Sequence, residues 1–240
     1  MPIRRPRGPK PALKHVEFLA AASRQPAKSP ERAALEAAFL TLRLLDEWIA
    51  SGGMLADPLF PAHAATRTAV EALSHDTETQ LVLWRVIDAI TTLHDPDAQP
   101  VLPRVYAYAG LLERRGELRL AVDVYATVSR YVDSRAHLDL GFDALMMQGL
   151  CFRGVNELER AGRAYENAGM LAGRAHDRSR ILYARIGEAK VTLARGDHAT
   201  AQNALGKILA EAAVLGNASL HDIALAELTA ADGSSAKSTR

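Results

Sequence analysis

Disulfide chemistry is closed to this chain, because Cys151 is its only cysteine. Aromatic residues are few, at 5% of the 240 positions, and β-branched residues are sparse, which weighs against a sheet protein. No run approaches the ~18 uncharged apolar residues that a membrane span needs. The charges nearly cancel, leaving a formal net charge of +1, so no global field draws the chain to nucleic acid or to a membrane. The basic start is followed by an apolar stretch, Val16 to Ala22, that is short and carries Glu17, which argues against a cleaved secretory signal. The expectation is a soluble, reduced, cytoplasmic protein.

What remains is rich in helix formers. Apolar residues make up 48% of the chain, with alanine and leucine abundant, a mix that favours close-packed helices. Residues 1 to 30 read as a basic, proline-rich disordered arm, densest in Arg4, Arg5, Arg7 and Lys10. Ser29-Pro30-Glu31 then looks like a helix start: serine can cap, proline suits the first turn and an acid meets the positive end of the dipole. Leu35, Ala38, Phe39, Leu42, Leu45 and Ile49 fall on one face of that helix, which Gly52-Gly53 would end. Helices from about 63 to 73 and 78 to 93 follow, the second with Leu81, Trp84, Ile87 and either Ile90 or Val86 as its buried stripe. Asp57-Pro58 and His94-Asp95-Pro96-Asp97 are chain breaks. Residues 31 to 100 therefore read as helices that are either degenerate repeats or a cap.

From residue 101 the chain repeats itself. Ala121, Ala161 and Ala201 stand 40 residues apart, each in nearly the same context. Each is preceded by a turn, at Gly116, Asn156 or Gly196, where a left-handed residue ends a helix. Ala109, Gly149 and Ala189 are the small residues of the first helices, and Tyr125, Tyr165 and Leu205 are large residues four places after the alanines. Close crossing of two helices needs small residues on both, and a bulky neighbour fills the gap beside the crossing. Asp133-Ser134, Gly173-Arg174 and Gly216-Asn217 mark longer connections between repeats. A last helix from Leu220 to about Ala230 would cap the stack, and residues 232–240 read as a disordered tail.

On these residues, over about 103 to 215, the chain resembles the tetratricopeptide repeat family. The resemblance implies an all-α fold, a right-handed superhelical α-solenoid of helix-turn-helix repeats. The period is 40 against about 34 in the family, so either helices or inter-repeat connections are longer. That spacing is more similar to the repeat modules of bacterial signalling and transcription regulators than to eukaryotic co-chaperones. The matched Lys, Arg and Asn with which co-chaperones hold an acidic C-terminal peptide are lacking, so that ligand is not transferred. By resemblance the concave groove is lined by Tyr106, Glu113, Met146, Leu150, Arg153, Tyr183, Ile186 and Lys190, with Asp143 beside them. It would suit a helix or an extended apolar segment of a partner.

No residues converge on catalytic roles. Cys151, in Gly149-Leu150-Cys151-Phe152, reads as a buried structural residue. The eight histidines are scattered, and none pairs with another His or Cys at a metal spacing. Gly169 to Gly173 has neither the preceding strand nor the lysine of a phosphate loop. The expected function is a non-catalytic adaptor or scaffold that binds another protein in the groove, with no cofactor, no metal and no membrane. The alternative is a regulator contacting nucleic acid through the basic arm, each phosphate contact weakening with salt. A solenoid has two ends, so a homo-oligomer through a poorly capped end also fits the pattern.

Overall fold

The structure, a computed structural model, describes residues 15–50, 61–92, 100–133 and 136–238. All of the regular structure in these residues is helical, as the composition suggested. The basic arm up to residue 14, the breaks at Gly52-Gly53, Asp57-Pro58 and His94 to Asp97, and part of the Asp133-Ser134 connection lie outside them. Among the described residues eleven helices are found, where the sequence suggested nine or ten. They fall into two compact units, residues 1–115 and 116–240.

The N-terminal unit holds α1 (Val16–Ser23), α2 (Pro30–Ala50), α3 (Pro61–Glu71), α4 (Thr77–Thr92) and α5 (Leu102–Arg114). The long α2 is its hub, packing on α1, α3 and α4, while α4 also packs on α5. As the sequence suggested, α2 begins behind a capping serine: the Arg32 backbone N–H donates to Ser29 Oγ at 3.2 Å. Its inward face carries Ala38, Leu42, Leu45 and Trp48, all buried. Each large apolar side chain so covered contributes about 1.5–3 kcal/mol.

Two readings of this region are corrected. Residues 16–23 are helix rather than disordered arm, because Phe18 is fully buried and stacks on Tyr108 of α5, ring centroids 6.4 Å apart. A helix of eight residues is too short to hold itself in water, so tertiary contact decides it and local pattern does not. On α4 the buried stripe is Leu83, Val86, Ile87 and Ile90, and Leu81 faces out at 53% exposure. Leu81 and Leu83 sit two residues apart, about 200° around a helix, so they cannot share a face.

The C-terminal unit holds α6 (Leu118–Tyr131), α7 (Leu138–Gly154), α8 (Leu158–Arg174), α9 (Arg178–Ala194), α10 (His198–Val214) and α11 (Ala218–Ser238). Successive helices pack on one another, and the first helices of the repeats, α7, α9 and α11, also touch in series. Each of α7 to α10 is 17 residues long. Asn156, His176, Gly196 and Gly216, 20 residues apart, carry φ values of +60°, +57°, +86° and +64°.

At all four turns the same two bonds close the helix. The left-handed residue's N–H donates to the carbonyl three back, as from Gly196 to Leu193 at 2.9 Å. The next N–H reaches five back, as from Asp177 to Ala172 at 3.0 Å. Asp177, Asp197 and Asn217 then cap the following helix by accepting from the N–H three residues on.

This corrects the expectation of longer connections at Gly173-Arg174 and Gly216-Asn217. From α7 onward turns within and between repeats are alike and the long period comes from long helices, whereas the connection from α6 to α7, at Asp133-Ser134, is the longer one expected. A second correction concerns the tail. The backbone of α11 stays helical to Ser238, since extending an existing helix needs no new nucleus.

The small-residue pattern has a direct geometric reading at Tyr165. Its ring, on α8, lies between Gly149 of α7 and Gly187 of α9. A Cβ at either glycine would stand 2.5 Å from the ring. Three helices thus approach around one aromatic side chain that is 3% exposed.

Candidate functional site

The eight expected groove residues divide between the units. Tyr106 and Glu113 lie on α5 of the N-terminal unit, and both are half-buried. The other six lie on α7 and α9, which pack directly on each other. Leu150 is the one apolar residue of these six that stands clearly open, at 38% exposure. Met146 packs on the cluster of Phe142, Ala168, Ala172 and Ala184. Tyr183, half-buried, bridges that cluster to the one around Leu205 and Ile208. Ile186 belongs to the latter cluster at 4% exposure, so it supports the face from below instead of lining it. In α9 the positions at i and i+3 diverge by about 60° around the axis, enough to turn Ile186 inward while Tyr183 stays at the edge.

The charges on this face are engaged. Lys190 is ion-paired with Glu227 of α11, half-buried on both sides. Arg153 hydrogen-bonds the Tyr165 hydroxyl: burial pushes that phenol up, and the guanidinium draws it part of the way back. Asp143 stands exposed beside Met146, and Arg180 pairs with both Asp139 and Asp177. The face that results is a shallow strip: an open leucine, the edges of a methionine and a tyrosine, and a rim of salt-bridged side chains.

Sequence reasoning missed two residues here. Glu227 was unremarked, because pairing across helices leaves no local signal. Gly187 was also passed over, although a second glycine on the next first helix is a detectable sign of close approach.

The remaining reactive types have structural settings. Cys151 is buried, as expected. In the N-terminal unit His15 Nε2 and Asp46 Oδ2 lie 3.2 Å apart, both residues almost fully buried, joining the start of α1 to α2. His63, also buried, bonds Thr91 Oγ1 at 3.0 Å.

Arg115 clamps the end of α5 to the start of α4. Its guanidinium reaches both Asp76 oxygens at 2.7 and 2.9 Å, Thr79 Oγ1 at 2.9 Å and Glu78 at 3.2 Å. Asp76 also caps α4 by accepting from Thr79 N–H at 3.1 Å. Its hydrogen bonds to Arg115 hold the Asp76 carboxyl far below the usual carboxylate range. Among the described residues no group of three or more His, Cys, Asp or Glu is placed to hold a metal ion, and no helix is long and apolar enough to cross a membrane.

Comparison with known proteins adds no assignment: no family model, no curated protein and no solved structure matches the chain.

Proposed function

We propose that this chain is a non-catalytic adaptor that holds a segment of another protein on the α7/α9 strip of its C-terminal unit. That unit is then a right-handed superhelical α-solenoid of tetratricopeptide-like repeats. The observation that carries the reading is Leu150. It is a leucine 38% exposed on an otherwise well-packed helix, flanked by the half-buried Met146, Arg153 and Tyr183. An open apolar side chain inside a fixed polar rim is the usual form of an interface anchor. The ion pairs of Lys190 and Arg180 brace the rim, so little ordering cost falls on binding.

The test is affinity capture from the native lysate with the whole chain, read by mass spectrometry beside Leu150→Asp. A partner retained by the native chain and lost from the variant, with helical content unchanged by circular dichroism, is the expected result. The same catch from both, or an empty catch from the native chain, refutes the strip as the binding site.

A further inference from the structure

The opposite side of α9 carries a second surface. At about 100° per residue, Arg178, Ile181, Arg185 and Glu188 lie roughly half a turn from Tyr183 and Lys190. Along this side the seam between α9 and α10 opens into two adjoining hollows of about 490 and 500 Å³, a groove with Arg185 and Glu211 as the wall common to both. The first hollow is largely apolar, walled by Ile181, Leu182, Val214 and Leu215. The second is mixed, walled by Ala189, Ala204 and Ile208 as well as Thr192, Asn203 and Lys207.

Folding does not account for several of these residues. Val214 is 86% exposed at the last position of α10, where a β-branched residue is a poor helix former and buries almost nothing. Leu215 beside it is 37% exposed. Arg178 opens α9, the end where the helix dipole disfavours a cation. Arg185 is bonded to Glu211 at 3.2 Å in the middle of the groove. Arg178 and Lys207, by contrast, have no ion-pair partner among the described residues, and both are exposed. Of the two acids lining the groove, Glu211 is neutralised by Arg185. Burial raises the pKa of Glu188, Glu166 raises it further and Arg185 lowers it, and Glu188 stands as one acid against the two cations Arg178 and Lys207. The uncompensated charge of the seam is therefore positive, set beside an open aliphatic hollow.

The geometry points to a docking site for an acidic amphipathic segment of a partner protein. Its large apolar side chain seats between Ile181, Val214 and Leu215, and its carboxylates meet Arg178 and Lys207. Charge complementarity selects this occupant over a basic or neutral peptide. This site is independent of the α7/α9 strip and stands or falls without it.

The experiment uses a display library of random 16-residue peptides, selected on the whole chain and counter-selected on Val214→Asp. Enriched peptides should combine Asp or Glu with large apolar residues. Their binding should fall at least tenfold with Val214→Asp or Arg178→Glu, weaken steeply with salt, and ignore Leu150→Asp. A peptide with Lys in place of its acid should recover binding on Arg178→Glu, which keeps the test valid if one variant is perturbed. Enrichment of basic or uncharged peptides, binding indifferent to the seam variants, or no enrichment at all would overturn the proposal. So would a concentration-dependent dimer abolished by Val214→Asp, which would give the seam to a second copy of the chain instead.

Discussion

The two units solve the same problem, burying helices with few aromatic residues, by different means. In the N-terminal unit helix lengths run from 8 to 21 residues, and polar contacts specific to one place hold them: Arg115 on Asp76, His15 beside Asp46, His63 on Thr91. In the C-terminal unit α7 to α10 share one length and one turn, and α7 to α9 meet through small residues against the Tyr165 ring. The first arrangement fixes one geometry by side-chain chemistry. The second fixes it by backbone repetition, which frees surface side chains such as Leu150 and Val214 from structural duty.

The largest expected effect breaks the repeating side. Tyr165→Ala leaves a void between Gly149 and Gly187 and should destabilise the C-terminal unit by about 3–5 kcal/mol. Gly187→Ala drives a Cβ into the same ring and should cost about 1–3 kcal/mol. Hydrogen exchange read by mass spectrometry should localise both losses to α7–α9. The two tryptophans, Trp48 and Trp84, both sit in the N-terminal unit and provide a separate fluorescence probe of it.

The next effect breaks the clamped side. Asp76→Ala removes an N-cap and a bidentate ion pair together, and should cost the N-terminal unit about 1–2 kcal/mol in urea melts followed by tryptophan fluorescence. Because the Asp76 carboxyl is depressed in the folded chain, its contribution is complete above the unfolded carboxylate value of about 3.9 and is lost as pH falls below it. The native chain should thus lose more stability between pH 6 and pH 3 than Asp76→Asn does. Equal losses would show that the clamp is not the source.

Smaller changes sharpen the contrast. His176 holds a left-handed conformation that costs a residue with a Cβ about 1 kcal/mol, so His176→Gly should raise the melting temperature while Gly196→Ala should lower it. The smallest effect belongs to Leu81→Ser, expected within about 0.5 kcal/mol of the native chain because that side chain faces out. Leu83→Ala, two residues on, should cost about 2–5 kcal/mol.

The same contrast governs what could be read from the sequence. The 40-residue recurrence of Ala121, Ala161 and Ala201 carried the helix pairs and the left-handed turns at Gly116, Asn156 and Gly196, because such turns restrict residue type locally. His176, read from the sequence only as lying near a helix end, did not mark a left-handed turn as a glycine would, and the 20-residue spacing of the turns went with it. In the N-terminal unit α1 was illegible: one buried Phe18 decides it, and nothing nearby in sequence announces its contact with Tyr108. Of the candidate strip, the outward placement of Leu150 was legible. The burial of Ile186 and the pairing of Lys190 with Glu227 depend on neighbours 20 to 40 residues away. The seam was not anticipated, because exposed apolar residues look in sequence like any others on a helix.

The most direct test of the adaptor account is site-specific photocrosslinking in the native cell, with a photoreactive residue at position 150 and, as control, at the exposed Asn167 on α8. The account predicts a discrete protein adduct from position 150 that is missing from position 167. No adduct at 150, or the same adducts from both positions, would contradict it.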